Sequence, residues 1–154
     1  MLAEIRNFRP KKKRSSAEDE ARAKRSATIA ELLETEEELV RDLHFAVDRY
    51  YHHLDLPTTP RHVTDARDIL FGNFNFFPDF HKNVLIEGLK YNAETPRLIG
   101  KTFLRLERDF DQHAEYCSSE PLAQEFLENN AAIREYFEDL SSSIGDEKRL
   151  QEHL

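Results

Sequence analysis

The sequence predicts an all-α fold, an elongated bundle of long amphipathic helices. Apolar residues recur at steps of three and four over long stretches, the period of one face of a helix. Charged residues make up 34% of the chain and hydrophobic ones 39%, a balance that suits helices with wide solvated faces. The chain holds only four glycines and six prolines, too few for the turns of a β-sandwich or a doubly wound sheet. Its 154 residues suit one domain.

Residues 1–25 read as a disordered basic and acidic lead, with nine Lys/Arg against four Asp/Glu. Lys11-Lys12-Lys13-Arg14 is expected to be a solvated run, because so few apolar groups cannot offset the entropy of ordering. The domain proper is expected over 26–154. Thr28-Ile29-Ala30-Glu31 has the form of a capping box, with Thr28 as N-cap and Glu31 at N3. From there Ile29, Leu32, Leu33, Leu39, Val40, Leu43, Val47, Tyr50 and Tyr51 form one stripe, and the helix should stop near His52-His53, before Pro57 and Pro60. A Pro/Thr loop follows over 54–63. Thr64 or Asp65 then caps a short helix that Gly72-Asn73 breaks.

Helical spacing resumes over 75–91 with Phe77, Phe80, Val84, Leu85 and Leu89, and Pro78 fits only in its first turn. After a loop at 92–96, residues 97–117 read as a long helix with Cys117 on its buried stripe. Ser119 and Pro121 mark a break and restart, as N-cap and near N1. Asn129-Asn130 ends that short helix, and Ile133, Tyr136, Phe137 and Leu140 mark the next. Ser141 to Ser143 reads as a loop, and 144–154 as a weak terminal helix.

Several function classes are excluded on composition and spacing. The lead carries a net +5 and the rest −13, so the body is a poor nucleic-acid binder. With the single cysteine Cys117 no intrachain disulfide forms. The start lacks an apolar run of signal-peptide length, and no run approaches the ~20 residues that span a bilayer. The cytoplasm is the expected address. Gly100-Lys101-Thr102 resembles the end of a phosphate-binding loop, but Thr95 stands where that loop needs glycine. None of the seven histidines has a glutamate three positions before it, and no His-Glu-x-x-His occurs. They read as solvated or helix-end groups. No cofactor, metal or bond-making chemistry is expected.

Four segments carry a resemblance. Glu31-Leu32-Leu33-Glu34-Thr35-Glu36, followed by Leu39-Val40 and Arg41-Asp42-Leu43, resembles the first signature region of Dbl homology (DH) domains, with leucine at 39 where the family usually has tyrosine. Ile69-Leu70-Phe71-Gly72-Asn73 resembles that family's Phe-Gly-Asn break. Phe80-His81 resembles its Phe-His helix, and Phe110 to Cys117 its segment ending in Tyr-Cys. The segments fall in the family's order, with Trio-, kalirin- and obscurin-like members nearest in flavour.

The resemblance implies a guanine nucleotide exchange factor for a Rho-family small GTPase of the Rho, Rac or Cdc42 type, a regulator rather than an enzyme with its own bond-making chemistry. Glu31 matches the glutamate that engages switch I. Glu34, Thr35 and Glu38 lie one to two turns further along the same side and are assigned peripheral contacts, while Glu36 and Glu37 read as solvated. The family's third signature region, a helix with Leu-Pro-x-Gln-Arg, does not occur in these 154 residues. The chain is therefore expected to be an N-terminal fragment, weak or inactive alone. The alternative is a helical interaction or scaffold module without exchange activity.

Overall fold

The computed structural model describes residues 15–154, and they fold entirely as helices and their connections. Residues 1–14, with the lysine-rich run, lie outside the described residues. Helix α1 spans Ser16–Ala46, 31 residues or about 46 Å of rod. Its start differs from the expectation. Ser15 is the N-cap and forms a capping box with Glu18. Thr28 is an interior residue whose hydroxyl donates back to the Lys24 carbonyl at 2.9 Å. Residues 16–25 are thus helical rather than an unstructured lead. Ser-x-x-Glu at 15–18 satisfies the same capping rule as Thr-x-x-Glu at 28–31, and it comes first in the chain.

The rod continues through a π-helical turn, Val47–Tyr51, and a 3-10 turn, His52–Asp55, before Pro57. The wide turn lets Val47, Tyr50 and Leu54 all point inward, at 6%, 0% and 2% exposure. Two short helices follow, α2 (Arg61–Thr64) and α3 (Arg67–Phe71). Neither Thr64 nor Asp65 caps α3; its N-cap is the buried Ala66. Gly72 ends α3 at φ +50°, ψ −124°, a region that favours glycine. A Cβ there would also stand 3.1 Å from the Ser119 Oγ, so Gly72 lets α3 approach the long helix that follows.

A 3-10 turn at Phe74–Phe76 leads into α4 (Phe77–Asp79), a π-helical segment Phe80–Ile86, and α5 (Glu87–Tyr91). Pro78 sits in the first turn of α4 as expected. Helix α6 (Arg97–Arg105) is separated from α7 (Glu107–Asn129) by a bend at Leu106 that the sequence reading did not include. The bend places Leu106 in the core at 5% exposure and stacks Phe103 on Phe110, centroids 5.9 Å apart.

Helix α7 runs through Pro121 without a restart, so Ser119 is not an N-cap. Ser118 and Ser119 instead donate to the Glu115 and Tyr116 carbonyls. Buried Ala123 and Leu127 hold the half beyond the proline in line. Cys117 is exposed, not on the buried stripe. Asn130 ends α7, α8 (Ala131–Ser143) absorbs the expected serine loop, and the terminal helix shrinks to one turn, α9 (Leu150–His153).

Two apolar clusters lie along the rod. The first joins Tyr50, Leu54, Phe71, Leu127, Phe137 and Leu150 from α1 and its continuation, α3 and α7 to α9. The second joins Phe80, Leu85, Leu89 and Leu106, with Leu32, Leu33 and Phe103 packed on it. Helices α1 and α7 serve both, which makes α1 a rigid strut with one side left to solvent.

Candidate functional site on the outer face of helix α1

The solvent side of α1 is decided by which positions the second cluster takes. Leu32, Leu33 and Val40 turn inward. At about 100° per residue that leaves Glu31, Glu34, Thr35, Glu38 and Asp42 on the opposite arc. All five are exposed, so every residue assigned to the contact surface from sequence stands on one face. The spacing from Glu31 to Glu38 is about 10 Å along the axis. The Thr35 hydroxyl donates to the Leu32 carbonyl at 3.0 Å, which leaves its methyl and an oxygen lone pair outward.

Two apolar side chains missed by the sequence reading edge this face. Leu39 is 37% exposed and Phe45 38% exposed. The apolar stripe expected from the sequence includes Leu39, but the side chain faces outward. Its position as the departure from the family's tyrosine was the one available signal that it faces outward, since a tyrosine there would present its hydroxyl to water.

Beneath the face, Glu36 corrects the expectation that it is solvated. Its carboxylate accepts from His81 Nδ1 at 2.7 Å, with only 17% of the Glu36 side chain and 7% of the His81 side chain exposed. The other His81 nitrogen meets His113 Nε2 at 2.8 Å. The arrangement of neutral rings that makes both contacts has His81 Nδ1–H donating to Glu36 and His113 Nε2–H donating to His81 Nε2, and His113 Nδ1 is left without a partner. Phe77, Phe80 and Phe110 enclose His113 at centroid distances of 4.6, 5.5 and 5.1 Å. Burial, and then the neighbouring His81, hold the His113 imidazole below its ordinary pKa. This relay joins α1, the π-helical segment and α7, so His81 is buried and His113 half-buried, and neither is a solvated group. Glu37 pairs with Lys90 at 2.9 Å on the surface, a contact worth little in water.

The arrangement offers an exposed face for docking. The exposed face presents carboxylates and two apolar groups on a stiff helix. The Glu36–His81–His113 series beneath it is enclosed by phenylalanines. Among the described residues no group of three His, Cys, Asp or Glu side chains is placed to hold a metal ion. No helix among them is long and apolar enough to cross a membrane.

An elongated all-helical fold with a carboxylate-bearing first helix defines a protein-docking module. Comparison with known proteins places it further. The model of the RhoGEF domain family matches residues 28–154. The chain is 39% identical over 127 residues to the muscle M-line assembly protein unc-89 of Caenorhabditis elegans, covering 82% of this chain and 2% of that protein. It is 27% identical over 130 residues to human proto-oncogene DBL, covering 82% and 14%. Human guanine nucleotide exchange factor DBS is 28% identical over 104 residues, covering 65% and 9%. The chain therefore spans only a small part of each of these relatives. It belongs to the RhoGEF (Dbl homology) domain family.

Proposed function

We propose that this chain acts as a guanine nucleotide exchange module for a Rho-family small GTPase, docking the GTPase on the outer face of α1. The observation that carries the reading is the exposure of Glu31 on a strut whose other side is locked by packing and by the Glu36–His81–His113 relay. Nucleotide release is driven only if the module holds the empty GTPase more tightly than the loaded one. A carboxylate carried on a rigid helix suits that task, because little binding energy goes into ordering the backbone that bears it. Glu34, Thr35 and Glu38 supply peripheral contacts, with Leu39 and Phe45 as apolar neighbours. The module regulates a GTPase and makes no bond itself, and an address in the cytoplasm and a protein rather than a nucleic-acid partner fit its acidic face.

The test is release of a fluorescent guanine nucleotide from Rho, Rac and Cdc42 types. The chain should accelerate release from at least one, and Glu31→Ala should reduce that acceleration about tenfold or more, the effect of losing one charge-assisted contact. Binding that leaves the release rate untouched would assign the chain to the scaffold class instead. An unaltered rate in Glu31→Ala would remove Glu31 from the site.

A further inference from the structure

One element departs from the acidity of the chain. Helix α6 carries Arg97, Lys101 and Arg105 and no carboxylate, in a chain of net charge −8. Successive residues turn by about 100°, so Lys101, Leu104 and Arg105 all project within about 80° of Arg97. The opposite side of α6 holds buried Thr102 and half-buried Ile99 and Phe103, packed inward. Among the described residues none of the three cations has a carboxylate partner within 4.0 Å.

The same hairpin carries the two most exposed large apolar side chains of the described molecule, Tyr91 at 89% and Leu104 at 72%. Asn92, next to Tyr91, donates to the Thr102 hydroxyl at 2.9 Å, which fixes the end of α5 against α6. Isolated exposed apolar residues are ordinary on protein surfaces. Two of them on a hairpin with three unpaired cations make a surface that offers charge and apolar contact together.

We propose that the α5–α6 hairpin is a contact site for the surface of a membrane containing anionic lipids. Arg97, Lys101 and Arg105 reach lipid phosphates on flexible stems, while Leu104 and Tyr91 enter the headgroup boundary. Each basic side chain near such a surface adds a similar increment of attraction. The carboxylates in the neighbourhood are Glu94 in the connecting turn, Glu87 on α5, and Glu107 and Asp109 at the start of α7. Lys90 is already tied to Glu37. These carboxylates lie on the turn, on α5 and on α7, while the three cations share one arc of α6, so the attraction rests on that arc rather than on the net charge around it. Arg22 and Arg25 of α1 line a recess with Ala93 and Pro96 of the same turn, and Glu18 and Glu94 line it too. The start of α1 therefore meets the turn of the hairpin. A nucleic-acid backbone would meet the same cations but gains nothing from Leu104.

Co-sedimentation of the 154-residue chain with phosphatidylcholine vesicles, with and without phosphatidylserine, tests this. Binding is expected only with phosphatidylserine, and it should weaken as salt rises. The double variant Arg97→Ala/Lys101→Ala should lower partitioning about tenfold or more. Tyr91→Ser/Leu104→Ser, at unchanged charge, should lower it as well, which a purely coulombic attraction would not produce. All four positions are exposed, and circular dichroism confirms that the variants keep their helix. Failure to bind phosphatidylserine overturns the proposal. So does binding that both double variants retain and only neutralising Lys11–Arg14 abolishes. Equal binding of a single-stranded oligonucleotide with no vesicle binding would assign the cations to nucleic acid.

Discussion

Glu36 and Glu37 are neighbours in a run of three glutamates, and the structure gives them different work. Glu37 reaches Lys90 at the surface, while Glu36 turns inward to His81 at 2.7 Å. The difference is one of azimuth: 100° of helix rotation separates a rim position from a seam position. The relay has a consequence for acid. His113 is held below its ordinary pKa, so the unfolded chain binds the extra proton first as pH falls. The stability that neutral His113 contributes is complete above about 6.5, its unfolded value, and is lost as pH drops toward the lower folded value. His113→Gln keeps an amide to face His81 and removes the titration. Thermal midpoints of wild type and variant, compared between pH 7.5 and 5.5, should fall more steeply in the wild type. Parallel slopes would show that His113 does not titrate in this window.

At the scale of elements, the last turn of the chain depends on one tyrosine of the first rod. Tyr50 is fully buried, bonds Ser141 of α8 at 2.7 Å and donates to Asp146 in the turn before α9. His153 of α9 bonds the same carboxylate at 2.7 Å, and the Lys148 N–H donates to it at 2.9 Å. Burial, reinforced by Asp146, pushes the Tyr50 hydroxyl up to about 12. Burial also works to raise the Asp146 carboxyl, but the bonds from Tyr50, Lys148 and His153 outweigh it and hold the group below its ordinary value. Tyr50→Phe should cost roughly 1–3 kcal/mol, because it leaves buried polar partners unmatched. Asp146 then loses a donor, so less stability should disappear as pH falls below the carboxylate range, and urea unfolding at pH 7 and pH 3 measures both effects. A neutral substitution would mean that water replaces the hydroxyl without loss.

At the scale of the whole molecule, two apolar clusters strung along a rod leave more apolar surface in water than one compact core would. Leu39, Phe45, Val84 and Leu122 are between 37% and 56% exposed. Covering a side chain of this size is worth ~1.5–3 kcal/mol, against a typical domain stability of ~5–15 kcal/mol. The chain on its own should therefore show a low, broad thermal transition and a tendency to associate, read by calorimetry and light scattering. A sharp transition at high temperature from a monomer would contradict this.

The sequence by itself determined the all-α class, the family, the stop before Pro57, the break at Gly72-Asn73 and the exposure of Glu31, Glu34, Thr35 and Glu38. Each follows from local rules: helical periodicity, proline and glycine stereochemistry, and the side of a helix left over once the apolar stripe is assigned. The start of α1 at Ser15 is also local, the first of two capping boxes on residues that stay exposed, and the tertiary structure decided the rest. It alone carried α7 through Pro121, where Ala123 and Leu127 anchor the far half, and turned Cys117 and Leu39 outward. It alone paired Glu36 with His81 and His113, which lie 45 and 77 residues further along the chain. Contacts over such separations are set by how helices cross, and crossing geometry is a property of the packed assembly rather than of any one helix.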